Sequence, residues 1–166
     1  MTLFDNFRQL LGECPAAPPD GVGAPFERRQ LAVVALLIEL AQADRHVEPA
    51  ETETIERIVR ERFGLDAAVA ERLIAAAHAE FDAALEDWIF AKAVRDGFDL
   101  GERVEIVELL WEVVYADGCL VRLEESSMRR LAAQLGIDDA AREAARAQAF
   151  ARSRQAGSVP GATEVE

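Results

Sequence analysis

The sequence predicts an all-α bundle of about seven helices, built from two pseudo-symmetric helix–turn–helix halves. Apolar residues recur at the three- and four-residue spacing of helices, and no stretch alternates apolar and polar residues as a half-buried strand does. A pattern of about 30 residues also occurs twice, which indicates a duplicated unit. With 166 residues, of which 51% are hydrophobic, the chain is long enough for one domain with a buried core.

The two copies of the repeat lie 73 residues apart along most of their length. Toward their ends the spacing falls to 72, because Phe63-Gly64 corresponds to Leu135-Gly136. The pairs that keep the longer spacing are Glu39 and Glu112, Asp44 and Asp117, Glu51 and Glu124, Ile55 and Met128, and Ile58 and Leu131. Each copy is therefore expected to be a pair of helices that buries its apolar faces, most economically against the other copy.

Residues 1–12 are predicted to form a short amphipathic helix, followed by a Pro- and Gly-rich linker over residues 13–26. The helix carries only two charges, Asp5 and Arg8, so it lacks the basic face of a membrane-surface helix. We therefore expect it to dock on its own domain. Its apolar residues, at helical spacing, are Leu3, Phe4, Phe7, Leu10 and Leu11.

Three helices are predicted for the first half. The first covers Glu27 to Ala43 and is apolar on nearly every face from Leu31 onward, so we expect it to be buried. The second runs to about Arg62 from Pro49, which suits the first position of a helix because no N–H is needed there. Asp66 is then a suitable N-cap for a third helix that ends at about Phe81.

Four further helices are predicted from the same periodicity and the same start signals. Asp99 leads into the second of them as its cap. Residues 153–166 are polar and are expected to form a disordered tail, so that one helical domain spans residues 27–152. The four helices are Leu85 to about Phe98, Glu102 to Ala116, Arg122 to Gln134, and Ala140 to about Arg152.

The composition excludes several classes of function. A net charge of −13 argues against a nucleic-acid binder, which needs a basic surface. No apolar run reaches the roughly 18 residues of a membrane span. The sequence shows no signal peptide, and its two cysteines, Cys14 and Cys119, lack metal-ligand spacing, so we expect a cytoplasmic protein. Because catalytic motifs such as Gly-x-Ser-x-Gly and His-Glu-x-x-His do not occur, we expect no enzyme.

The two acidic turns allow two interpretations. Asp44 and Asp117 follow the ends of apolar helices, where the carbonyl groups already create negative potential, so a bound cation would relieve the repulsion. Oxygen-rich clusters suit Ca²⁺ or Mg²⁺. Alternatively, Asp-Gly is a common turn pair. Glu51 and Glu124 would then lie in the first turns of the next helices, where acids are favourable without any metal.

At these residues the chain resembles the TerB-like (tellurite-resistance protein B) family, and most closely its small bacterial branch. The resemblance covers about Leu31 to Ile137. Its strongest motif is Leu-Leu-Trp-Glu-Val-Val-Tyr-Ala-Asp-Gly at residues 109–118, followed by Glu124. The supporting motifs are Ala43-Asp44 with Glu48 and Glu51, Arg60-Glu61-Arg62-Phe63-Gly64-Leu65, and Phe98-Asp99-Leu100-Gly101-Glu102-Arg103.

The resemblance implies a bundle of about seven helices with a divalent-cation site at the acidic turns. It also implies a loose link to tellurite resistance and to protein partners in membrane-associated stress-response complexes; it names neither the partner nor the oligomeric state. The expected metal ligands are Asp44, Glu48, Glu51, Asp117 and Glu124. Glu39 and Glu112 are expected to lie in the shell of residues around these ligands, without contacting the metal. The alternative function is a metal-independent protein-interaction scaffold whose acidic turns are ordinary surface.

The sequence departs from the family pattern once in each half. Arg45 and His46 follow Asp44 where the family usually has a glycine, and Arg45 is placed to neutralise an acid of the first turn. In the second half, Val121 stands four residues after Asp117, where the family usually has an acidic or small polar residue. Each turn therefore lacks one feature of the expected cation site.

Overall fold

The computed structural model describes residues 28–42, 49–86, 88–115 and 122–156. Across these ranges the chain forms seven α-helices and no strand, which confirms the predicted all-α class. A five-residue π-helical turn, Ile58–Arg62, directly continues the second helix. The helices are α1 (Arg28–Ala41), α2 (Pro49–Arg57), α3 (Ala67–Ala83), α4 (Trp88–Gly97), α5 (Leu100–Val114), α6 (Arg122–Gln134) and α7 (Asp139–Ala156).

Aspartate side chains cap three of these helices. The carboxylates of Asp66, Asp99 and Asp138 each accept a hydrogen bond from the backbone N–H three residues later, at 2.8 to 2.9 Å. Asp99 also donates its own N–H to the Glu102 carboxylate at 2.9 Å, which completes a capping box. The caps predicted at Asp66 and Asp99 are confirmed, and each contributes about 1 kcal/mol to helix stability.

Some predicted helix bounds were wrong. Helix α4 begins at Trp88 rather than Leu85, because the chain turns into an extended conformation at Ala84 and leaves Leu85 fully exposed. Helix α7 continues past Arg152 to Ala156, since Arg152 is held by carboxylates of α5. The predicted N-terminal helix, the linker and most of the predicted tail lie outside the described residues.

Helices α1 and α5 form the centre of the bundle. Every residue from Gln30 to Ala41 is buried, as is nearly all of α5 from Ile106 to Val114. Helix α1 packs against α3, α4 and α5, and α5 packs most extensively against α7. Each fully buried leucine, isoleucine or valine contributes roughly 1.5 to 3 kcal/mol of hydrophobic stabilisation, so these two helices dominate the core.

The two halves of the repeat have matching architecture. Helices α1, α2 and α3 correspond in order to α5, α6 and α7, and α1 packs on α3 as α5 packs on α7. Helix α4 connects the halves and packs on α1 and α6. No described helix is both long and apolar enough to cross a membrane.

The π-helical turn accounts for the change in repeat spacing from 73 to 72. The first copy has one more residue between Ile58 and Phe63 than the second has between Leu131 and Leu135. A π turn is how a helix accommodates a single inserted residue, and it spans Ile58–Arg62 here. The insertion therefore lies inside a helix and leaves the two helix ends equivalent.

Both helix ends use the same glycine motif. Gly64 and Gly136 have φ angles of 65° and 72°, in the left-handed region where other residues are strained. After each glycine, the next residue donates its N–H five residues back, Leu65 to Arg60 and Ile137 to Ala132, both at 2.9 Å. Such an αL ending satisfies the last carbonyl groups of a helix.

Replacing Gly136 by alanine is expected to lower the free energy of unfolding by about 1 to 2 kcal/mol, the usual penalty for a left-handed alanine. The new Cβ would also lie 2.9 Å from Nη1 of Arg103, which donates to the Leu135 carbonyl. Chemical denaturation measures the effect. Gly101→Ala is the matched control: its Cβ would be 3.4 Å from the nearest atom, within an ordinary helical turn, so stability should stay equal or rise by about 0.5 kcal/mol. Equal losses in both variants would contradict this account.

Candidate functional site

The predicted acidic turns connect equivalent pairs of helices. One turn joins α1 to α2 and the other joins α5 to α6. Asp44, Glu48 and Asp117 belong to these connections and lie outside the described residues. Glu51 and Glu124 each occupy the third position of the following helix, which confirms that both lie in a first helical turn. An acidic residue is favourable there because the helix dipole is positive at its N-terminus.

Glu39 and Glu112, predicted to lie behind the ligands, occupy equivalent places in α1 and α5 and are both buried. The Glu39 carboxylate lies 2.9 Å from the guanidinium of Arg130 in α6. The Glu112 carboxylate lies 3.4 Å from the guanidinium of Arg62 in the π-helical turn. Each glutamate is thus paired with an arginine from the opposite half.

Glu112 has a second basic partner. Arg152 of α7 donates a hydrogen bond to Glu112 at 3.0 Å and another to Glu108, one turn earlier in α5. Burial would lower the pKa of Arg152, but its hydrogen bonds and charge attraction to Glu108 and Glu112 outweigh burial and raise that pKa above its ordinary value. The side chain therefore stays fully charged and holds the end of α7 against α5.

These pairs explain how acidic side chains are tolerated inside the bundle. A buried carboxylate is costly unless it is paired and hydrogen-bonded. Glu39 and Glu112 meet that requirement with arginines, whose charge-assisted bonds are stronger than neutral ones. Both glutamates lie close to the helix ends that lead into the acidic turns, so the pairs fix the direction in which α1 and α5 enter those turns.

Sequence reasoning missed the arginine partners Arg62, Arg130 and Arg152. Each lies far from its glutamate in the chain, and tertiary packing brings the pair together, across the two halves for Arg62 and Arg130 and within the second half for Arg152. The only signal in the sequence is that acidic residues interrupt two otherwise apolar helices, since a buried acid requires a basic partner. This pattern predicts that each buried glutamate has a basic partner, but it does not identify which arginine that is.

An aromatic and basic cluster borders the second turn. The Nε–H of Arg146 donates to the Tyr115 hydroxyl at 3.0 Å, and its guanidinium lies 5.1 Å from the ring centre of Trp111. The Tyr115 ring stacks on Trp111 at 5.9 Å and contacts Phe150 at 5.5 Å. The hydrogen bond to Tyr115 raises the pKa of Arg146, with attraction from Glu143 and other acids adding to it. A permanent positive charge thus anchors the end of α5.

A cavity of about 570 Å³ lies beside the first turn, between α1, α2 and α3. Its walls include Ile38, Ile55 and Ile74, and the carboxylates of Glu56 and Glu71 stand among its lining residues. Gln42, the last described residue before the first turn, also lines it. The cavity therefore extends to the last described residue before the first turn.

Within the described ranges, no three histidine, cysteine, aspartate or glutamate side chains group as a metal site would. Three of the five expected ligands lie outside those ranges, and the side chains of Glu51 and Glu124 are not described. The predicted ligand set therefore stays a prediction.

Comparison with known proteins gives one finding. Residues 30–147 match the protein-family model described as tellurite resistance protein TerB. This range begins in α1 and ends in α7, so it includes both halves of the repeat and both acidic turns. No curated protein and no solved structure matched the chain.

Replacing Glu112 by glutamine is expected to lower the free energy of unfolding by about 2 kcal/mol, because two arginines lose their buried counter-charge. The arginines are 24% and 36% exposed, which keeps the cost below that of a fully buried pair. Asp96→Asn is a matched control that also removes one carboxylate, from an exposed pair with Lys92, and should change stability by less than about 0.5 kcal/mol. Urea denaturation compares the two variants, and similar small effects would show that the Glu112 pairs contribute little.

Proposed function

The chain belongs to the TerB family of tellurite resistance proteins, and we propose that it is a non-enzymatic module that binds a divalent cation at its paired acidic turns. One observation carries the proposal: two equivalent buried helices each lead into an acidic connection, and each following helix has a glutamate in its first turn. Ca²⁺ and Mg²⁺ are the ions whose preferred ligands are carboxylate and carbonyl oxygens.

The chemistry of the helix ends supports a cation at these turns. The last carbonyl groups of α1 and α5 have no partner within their helices and carry partial negative charge. Asp44 and Asp117 add full negative charges beside them. Asp44, Glu48 and Glu51 are the proposed ligands in the first half, and Asp117 and Glu124 in the second. A divalent ion would offset this repulsion.

The arginine pairs give Glu39 and Glu112 a positioning role in this proposal. Because Arg130, Arg62 and Arg152 already neutralise them, these glutamates hold the helices in place. They need not coordinate the ion directly. The acids in the turns would then supply the oxygen ligands.

The family also suggests a biological setting, which we include in the proposal. The protein acts in the cytoplasm, with a loose link to tellurite resistance or stress response. Its partners are proteins, such as components of a membrane-associated stress-response complex. The acidic turns and the cavity beside the first of them would form the contact surface, with the cation stabilising the shape of the turns.

A metal-independent interaction scaffold is the second candidate. It is supported by the cavity of about 570 Å³ next to the first turn, which has isoleucine walls and acidic side chains. Apolar walls with a few polar groups are the usual composition of a binding site. In this alternative, the acids of the turns contact a partner directly, and Arg45 takes the place of the cation in the first turn.

Thermal unfolding with chelator and then with millimolar Ca²⁺ or Mg²⁺ tests the cation proposal. A ligand that binds only the folded state adds about 2.7 kcal/mol at a hundredfold excess over its dissociation constant, so the midpoint should rise. The rise should be lost in the Asp44→Asn/Asp117→Asn variant. It should persist in the Asp82→Asn/Asp96→Asn variant, which removes the same charge from exposed positions in α3 and α4.

Each outcome separates the two candidates. A midpoint shift that depends on Asp44 and Asp117 supports the cation site. Identical curves with and without either metal would reject it at those concentrations and favour the scaffold. A shift that is equally large in both double variants would mean that the ion binds the acidic surface without a specific site.

A further inference from the structure

A second, larger groove lies at the opposite end of α1 from the first acidic turn. Its volume is about 710 Å³, and it is bounded by the start of α1, the end of α3 and helix α4. Leu31, Ile89 and Phe90 are among its lining residues. The carboxylates of Glu80 and Glu86 also belong to the lining, and both residues are exposed. The groove is therefore lined mainly by apolar residues and has acidic residues at its edge.

The edge of this groove exposes apolar surface to water. Leu85, which lines the groove, is 100% exposed, and Trp88, which precedes the lining residue Ile89 in α4, is 49% exposed. Covering apolar area stabilises a protein by roughly 25 cal/mol for each Å². Contiguous apolar patches of this kind usually mark a contact surface. The groove thus has the composition expected for binding an amphipathic helix.

We propose that residues 3–11 of the same chain occupy this groove as an amphipathic helix. Their apolar residues lie at positions 3, 4, 7, 10 and 11, the i, i+3, i+4 and i+7 pattern of a helix that lies in a groove. The opposite face holds Asp5 and Gln9, whereas Arg8 lies at the border of the apolar face. Arg8 is the only base among residues 3–11 and complements Glu80 and Glu86 on the groove's edge.

The position of the groove in the fold supports this assignment. Residues 12–27 connect the segment to α1, and Leu31, in the first turn of α1, lines the groove. Fully extended, these 16 residues reach at most about 55 Å. The helix itself would be about 14 Å long. The tether is therefore long enough, and it holds the segment at an effective concentration in the millimolar range.

The chemistry of the segment favours this occupant over two others. A membrane-surface helix needs several basic residues on its polar face, and this one offers Arg8 balanced by Asp5. A second copy of the chain would lose translational and rotational freedom on binding, a cost that a tethered segment avoids. The inference does not depend on the cation proposal, because groove and turn lie at opposite ends of α1.

Amide hydrogen exchange of the full-length protein tests the contact. In the Phe4→Asp/Phe7→Asp variant, amides of residues 80–93 should exchange about tenfold faster or more, because local protection depends on packing. The Asn6→Asp/Gln9→Asp variant adds the same charge on the polar face and should leave these rates unchanged. Unchanged rates in the first variant, or equal acceleration in both, would overturn the proposal.

Disulfide trapping identifies the occupant. The experiment uses a Cys14→Ser/Cys119→Ser background, which has no native cysteine. In it, the Phe7→Cys/Ala93→Cys variant should form an intramolecular disulfide at least about tenfold faster than the Gln9→Cys/Ala93→Cys variant. The reason is that a disulfide requires Cα atoms within about 7 Å. Equal rates, or products that are only covalent dimers, would overturn the assignment. A membrane role for the segment would also overturn the assignment. It would appear as binding of the protein to anionic phospholipid vesicles that the Phe4→Asp/Phe7→Asp variant loses, with no change in amide exchange at residues 80–93.

Discussion

The need to neutralise two buried carboxylates constrains the whole bundle. Helix α1 from Gln30 onward and α5 from Ile106 onward are almost completely buried, yet each carries a glutamate close to its C-terminal end. Glu39 is paired with Arg130 of the other half, and Glu112 is paired with Arg62 of the other half and with Arg152 of its own half. The pairs therefore set how α6 lies on α1 and how the end of α2 lies on α5. The ion pairs thus link the two halves at the ends of the helices that form the apolar core.

The two halves have the same arrangement of helices but differ in which arginine pairs with the buried glutamate. Arg62 reaches Glu112 from the π-helical turn, where the first copy carries its additional residue. At the 72-residue spacing, the corresponding residue of the second copy is Gln134, and Glu39 pairs instead with Arg130, earlier in α6. Glu112 also gains Arg152 from the longer last helix. The two copies, which differ by one residue here, thus supply the charge from different positions and still have equivalent glycine endings.

The sequence predicts the helices well because local rules determine them. Apolar periodicity gives seven segments, and Pro49 marks a helix start. Asp66 and Asp99 cap where they were expected to. The start of α4 and the extension of α7 were missed because they depend on the turn at Ala84 and on the contact of Arg152 with α5. The arginine partners were missed for the same reason, and Asp44, Glu48 and Asp117 lie outside the described residues.

The exchange of arginines between the halves has an evolutionary consequence. When a duplicated unit keeps its stabilising contacts within each copy, either copy can be lost or replaced without harming the other. Here Arg130 of the second half supplies the counter-charge for Glu39, and Arg62 of the first half supplies part of the counter-charge for Glu112, so neither half keeps all of its ion pairs by itself. A substitution at Arg130 or Arg62 therefore acts on a buried acid of the opposite half.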